Sequence, residues 1–195
     1  MANWAYTSYV VSGPKEVLEK IEKAIISHPV SEGADEHWEG DILNALGAEW
    51  VSRDQDREKG LYMRGFINEK PWWSGDDLRF WAEEAWDITD FDIVLRKKFP
   101  EIKVYWAVEE EGMGIYKTND REGLYFEDKV YVDTCINGDY RSDYFKNTDD
   151  AYQWLSEITD GKIKTKKDVE DFNDSISERN PDEFIYVHEY LIIDN

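Results

Sequence analysis

Three histidines, one cysteine and a large excess of carboxylates are the side chains through which this sequence could do chemistry. His28, His37 and His188 fall in no HExxH, HxH or Cys-paired spacing, so no two of them are set by local structure to share a metal ion. A Ser-His-Asp hydrolase would need one of them beside an exposed serine elbow. No GxSxG is present, and Ser12-Gly13 reads only as the entry to a helix. Cys135, the single cysteine, has no partner for an intramolecular disulfide. Its neighbours Val132, Asp133, Thr134 and Ile136 read as a strand running into a turn.

The carboxylates pose the opposite difficulty, since Asp and Glu number 44 against 23 Lys and Arg. Pairs such as Glu83/Glu84 or Asp168/Asp171 therefore arise on solvated faces without any function. Glu109-Glu110-Glu111 is the densest cluster and reads as a solvated strand end. Thr118 to Lys129 has a calcium-loop glycine in Gly123, but Lys129 occupies the position that requires a bidentate Glu. Gly112-Met-Gly114 lacks the length and the lysine of a phosphate loop. Arg64-Gly-Phe66 is similar to the core of an RNA-recognition strand until Ile67-Asn68-Glu69 breaks the pattern. The expectation is a chain with no catalytic residue, no metal and no cofactor.

A net charge of −21 repels phosphate backbones and anionic membrane surfaces. Direct nucleic-acid binding is not expected. The opening residues carry no basic region followed by an apolar run, and no stretch approaches the roughly 20 apolar residues of a membrane span. The expected compartment is the cytoplasm. Nine Trp, twelve Tyr and eight Phe supply ample material for a core. Trp72-Trp73, placed by pattern in a Pro/Gly loop over residues 70–77, can either plug a core edge or anchor a partner. The residues expected to contact a protein partner are Trp72, Trp73, Glu109, Glu110 and Glu111.

The elements that must position these residues follow from periodicity. Residues 4–12, β-branched and aromatic and bounded by Gly13-Pro14, read as a strand, and Pro14 and Glu16 open a helix whose stripe is Val17, Leu18, Ile21, Ala24 and Ile25, ending near His28-Pro29. Ile42 to Leu46 before Gly47 suggests a short helix. Residues 49–53 and 61–68 read as strands, with 54–60 as a turn. Residues 78–86 fit strand or helix. Thr89-x-x-Asp92 opens a helix with Phe91, Val94, Leu95 and Phe99 inward, and 102–110 alternates as a strand. Further strands are expected at 114–118, 123–135 and 139–145, with Asn137-Gly138 as a hairpin turn. Helices at 148–158 and from Thr165 to before Asn180-Pro181 precede a final strand at 184–193.

Met1-Ala-Asn-Trp4, Val11-Ser-Gly-Pro-Lys15, Leu78-Arg-Phe80 through Ala85-Trp86, Phe99-Pro-Glu-Ile102 and Glu109-Glu-Glu-Gly-Met-Gly114 together resemble the YubB-like ferredoxin-fold proteins of bacteriophages and plasmids. The likeness covers residues 1–118; Ala5 stands where relatives commonly carry Cys, and residues 47–77 match poorly. It implies that 78–86 is a strand. With that assignment, residues 4–110 run strand, helix, strand, strand, helix, strand. The expected fold is α+β: a ferredoxin-like antiparallel sheet with two helices on one face over residues 1–118, extended at 119–195 by a β-hairpin, two helices and a final strand. The resemblance implies a mobile-element origin and no reaction. The expected function is a non-enzymatic acidic interaction protein with a host or phage protein as partner. The alternatives are a nucleic-acid mimic directed at a host enzyme and an enzyme whose carboxylates and tyrosines converge only in three dimensions.

Overall fold

The computed structural model describes residues 3–28, 36–176 and 182–194. The chain divides into two compact units, residues 1–120 with 193–195, and residues 121–192. Among the described residues no helix is long and apolar enough to cross a membrane.

The first unit is built from β1 (Trp4–Ser12), α1 (Lys15–Ile26), β2 (Glu36–Trp38), α2 (Glu39–Ala45), β3 (Gly65–Ser74), β4 (Asp77–Ala85), α3 (Phe91–Lys98), β5 (Lys103–Glu110) and β6 (Ile115–Thr118). Its strands form a sheet of order β6-β5-β1-β4-β3-β2. Each pairing from β6 through to β2 is antiparallel.

Alternation explains how this sheet finds its core. Ala5, Thr7, Tyr9 and Val11 point to one side of β1, opposite Glu84, Ala82, Phe80 and Leu78 of β4 and, from Thr7 onward, Val108, Trp106 and Val104 of β5. The apolar members of that face, with Ile67, share one buried cluster with Val17, Leu18, Ile21 and Ile25 of α1, Ile42 and Leu43 of α2, and Phe91, Val94 and Leu95 of α3. Burying each large side chain contributes about 1.5–3 kcal/mol, which fixes the register, because a slip by one residue would turn the whole set outward.

The second unit contains β7 (Val130–Ile136), β8 (Asp139–Phe145), α4 (Thr148–Ile158), α5 (Lys166–Ile176) and β9 (Phe184–Glu189). Its three-stranded sheet has the order β8-β7-β9, and both pairings are antiparallel. Val130, Val132 and Ile185 pack on Ala151, Leu155 and Val169 of the two helices. Asn147 caps α4 by accepting from the Asp150 N–H at 2.9 Å, and Asp168 accepts from Thr165 and the Lys164 N–H at the start of α5, as their positions in the sequence suggest.

Several expectations are corrected. Residues 49–53 form no strand beyond an isolated bridge between Ser52 and Leu61. The strand expected at 61–68 begins at Gly65 and runs on to Ser74, through the segment read as a loop. Pro71 misled that reading, since proline is unwelcome inside a ladder; the chain accommodates it with a register shift between Asn68 and Trp72 and a positive φ at Glu69. Strand β7 starts at Val130 rather than at 123, and the final strand is interrupted at Tyr190. β2 had no counterpart in the sequence reading. The expected stops at Pro29 and at Asn180-Pro181 lie outside the described residues.

Candidate functional site

The face of the first sheet opposite the core is aromatic. β1 sends Trp4, Tyr6, Ser8 and Val10 to that side, and pairing extends each into a row. One row runs Tyr116, Glu109, Tyr6, Glu83, Phe66, Trp38; the next runs Thr118, Ala107, Ser8, Trp81, Asn68; a third runs Tyr105, Val10, Arg79, Trp72. Trp4, Tyr6, Trp38, Trp72 and Trp81 remain 38–52% exposed. Their rings interlock: Phe66 lies 5.1 Å from Trp4 and 5.4 Å from Trp38, and Trp72 stands edge-on to Trp81 at 4.9 Å. Ring-to-ring support holds such side chains in place before a partner arrives, which lowers the entropy cost of using them.

Charge on this face is graded. Half-buried Glu83 and Glu109 flank Tyr6 on its two neighbouring strands, whereas Arg79 and Lys103 occupy register positions toward the opposite end of the strands. A carboxylate beside an exposed phenol ring offers a cation both a counter-charge and a π face.

Beneath the same sheet, on its core side, carboxylates and hydroxyls converge in a closed space. Glu84 of β4 accepts from the Thr7 hydroxyl, from the Tyr9 hydroxyl at 2.9 Å, and from the N–H and hydroxyl of Thr89 at 2.9 and 2.7 Å. Glu39, the first residue of α2, places Oε2 2.7 Å from the same Thr89 hydroxyl. Both glutamates are completely buried, and Asp92 is nearly so. Burial, followed by the charge of Glu84, pushes the Glu39 carboxyl well above the usual range; burial also raises Glu84, against four hydrogen bonds that favour its ionised form. Of the two, Glu39 is pushed up the more, so its protonated form is the more favoured. Thr89 has only one hydroxyl proton to offer the two carboxyl groups, each of which has an oxygen 2.7 Å from its Oγ1. Burial and the nearby carboxylates push the Tyr9 phenol up as well.

Gly65 makes room for this arrangement. A Cβ there would lie 2.7 Å from the Glu39 carboxyl carbon, a distance no side chain tolerates. The cluster has what acid–base chemistry requires, but both glutamates have no solvent-accessible surface through which a substrate could reach them.

The residues singled out by sequence are dispersed. Trp72 is exposed on the aromatic face, while Trp73 turns to the core side, opposite Leu78, and donates Nε1–H to Glu22 at 3.0 Å. Glu109 stands beside Tyr6, Glu111 is exposed, and Glu110 is buried, accepting from the Gly112 and Met113 N–H groups. His28 donates Nδ1–H to the Ala24 carbonyl, His37 is buried against β3, and His188 pairs with Asp133 at 3.1 Å. Among the described residues no three His, Cys, Asp or Glu side chains are grouped to hold a metal. Cys135 is half-buried, opposite Tyr140 and Phe184. Trp4, Tyr6, Trp38, Phe66 and Trp81 were not anticipated as a surface. Period-2 alternation in 4–12 and 78–86 was the available signal, but which side of each strand faces water depends on the helices.

What the fold and this face define is a class, an α+β protein of two units whose first sheet packs its helices on one side and exposes Trp4, Tyr6, Trp38, Trp72 and Trp81 on part of the other, where Val10, Tyr116 and Thr118 are buried. No protein-family model matches the chain, and no curated protein matches it.

Proposed function

We propose that this protein is a non-enzymatic acidic interaction module that holds a cationic segment of a protein partner on the aromatic face of its first sheet. The observation that carries the reading is Tyr6, exposed between Glu83 and Glu109 and continuous with Phe66, Trp38 and Trp4. Large rigid aromatics give contact area at small entropic cost. The Glu83 carboxylate beside Tyr6 selects arginine or lysine, and the net charge of −21 speeds the approach of a basic partner. Complete burial of Glu39 and Glu84 weighs against an enzyme built on those carboxylates.

We also propose that the first unit has the ferredoxin-like arrangement. What supports it is the chain order β1-α1-β3-β4-α3-β5 combined with the spatial order β5-β1-β4-β3, β2 and α2 being an insertion after α1. A phage or plasmid origin rests on the sequence resemblance. Mimicry of nucleic acid is the special case in which the cationic segment belongs to a nucleic-acid-handling enzyme, and its mark would be displacement of that partner by duplex DNA.

The test is a tryptophan-fluorescence titration with an arginine-glycine repeat peptide and with its glutamate-glycine counterpart. Saturable binding of the first alone, weakened at least about tenfold by Tyr6→Ala or Trp81→Ala, is the expected result. Equal response to both peptides, or binding untouched by those substitutions, would refute the proposal.

A further inference from the structure

Strand β8 is the last strand on one side of the second unit's sheet, and it carries an unusual order of residues, Asp139-Tyr-Arg-Ser-Asp-Tyr-Phe145. Every residue from Asp139 to Tyr144 is exposed, and among the described residues no strand pairs with the outer side of β8. The direction of its peptide groups follows from two bonds. The Phe145 carbonyl accepts from the Lys129 N–H at 2.8 Å and the Arg141 carbonyl accepts from the Thr134 hydroxyl at 3.1 Å, both on the β7 side. Residues 141, 143 and 145 therefore point at β7, and Tyr140, Ser142 and Tyr144 point outward.

We infer that β8 pairs antiparallel with β8 of a second copy of this chain, about a two-fold axis at Ser142, giving a homodimer with one sheet running through both copies. The sequence is its own complement about that axis. Arg141 falls opposite Asp143 of the partner copy, twice over, and Tyr140 falls opposite the partner copy's Tyr144, also twice. Ser142 meets itself, and the outer pair of Asp139 with Phe145 contributes no charge match. Outward-pointing residues meet outward-pointing residues, as an isologous ladder requires, so on the order of six main-chain hydrogen bonds can form. Arg141 and Asp143 lie in the more closely spaced pairs of that ladder, where opposite charges attract most and like charges repel most.

In the single chain the charged groups of β8 are satisfied locally. Arg141 donates Nε–H and Nη2–H to Asp139 at 2.8 and 2.6 Å, and Asp143 accepts from the Tyr144 N–H at 2.9 Å. Pairing exchanges the second contact for a carbonyl of the partner copy and releases the Asp143 carboxylate toward the facing guanidinium. An exposed strand at a sheet edge is a template for strand addition unless its charges oppose it. A strand charged with one sign would repel its own copy, whereas this one presents both signs in mirror order. A tyrosine ladder, already begun by Tyr131 and Tyr144 at 4.7 Å, would run on across the axis.

Sedimentation equilibrium of the full chain tests this. The expected mass at high concentration is twice the 23.0 kDa of one chain. Arg141→Asp places carboxylates opposite Asp143, and Asp143→Arg places guanidinium groups opposite Arg141. Each alone should weaken dimerisation at least about tenfold, with circular dichroism unchanged because both positions are exposed. An equimolar mixture of the two variants should dimerise again, as should the double variant Arg141→Asp/Asp143→Arg. Mixing uses the same two proteins that fail alone, so a folding defect cannot imitate the recovery. A wild-type chain that stays at 23.0 kDa, a dimer indifferent to either single reversal, or a mixture that does not recover would each overturn the inference.

Discussion

Trp72 and Trp73 are neighbours in the chain and stand on opposite faces of one sheet, Trp72 across from Arg79 and Trp73 across from Leu78. The two should respond differently to the same truncation. Trp73→Ala removes a ring packed on the core and the bond to Glu22, and should cost about 2–4 kcal/mol in a denaturant melt. Trp72→Ala removes an exposed ring and should leave the melt within about 0.5 kcal/mol of wild type while weakening peptide binding. Equal effects on stability would contradict the alternation.

Glu39 and Glu84 should also separate. Glu84 is an acceptor at every contact with Thr7, Tyr9 and Thr89, so Glu84→Gln turns amide hydrogens toward donors that have nowhere else to bond, at a cost of about 2 kcal/mol or more. Glu39→Gln keeps a donor toward Thr89 and an uncharged group in the core, and should be nearly neutral at pH 7. Urea titrations of both variants distinguish the partners, and the reverse order of damage would show that the proton sits on Glu84.

The same pair makes stability depend on pH in a defined sense. Burial lifts Glu39, Glu84 and Asp92 above their values in the unfolded chain, so the folded state binds protons more tightly. Their contribution is complete below the ordinary carboxylate range and is lost as pH rises through the raised values. The melting temperature should therefore fall from mildly acidic toward alkaline pH. General repulsion among the surface carboxylates acts in the same direction, so the decisive comparison is with Glu39→Gln, whose profile should be flatter. Parallel profiles would remove Glu39 as the proton holder.

Gly65→Ala should destabilise the first unit by about 1–3 kcal/mol, because the added methyl meets the Glu39 carboxyl group and the core must shift to admit it. In a Glu39→Ala background the same substitution should cost much less, and a double-mutant cycle measures that coupling. Additive effects would mean that the contact carries no energy.

Local pattern determined much of this protein before any tertiary contact was considered. The β-branched and aromatic run at 4–12, the alternation in 102–110, the stripe from Val17 to Ile25 and the Thr165-x-x-Asp168 start depend only on propensity, backbone period and capping, which neighbouring residues encode. Pro71 concealed a strand, since its penalty is local and the bulge that absorbs it is set by pairing with β4. The convergence of Tyr9, Glu39, Glu84 and Thr89 was invisible, because Tyr9 and Glu84 alone are 75 positions apart and the four meet only through sheet order. Which side of each strand met the helices and which was left aromatic was likewise decided by packing. A period of two fixes that neighbouring side chains oppose one another, and only burial chooses the face that stays in water.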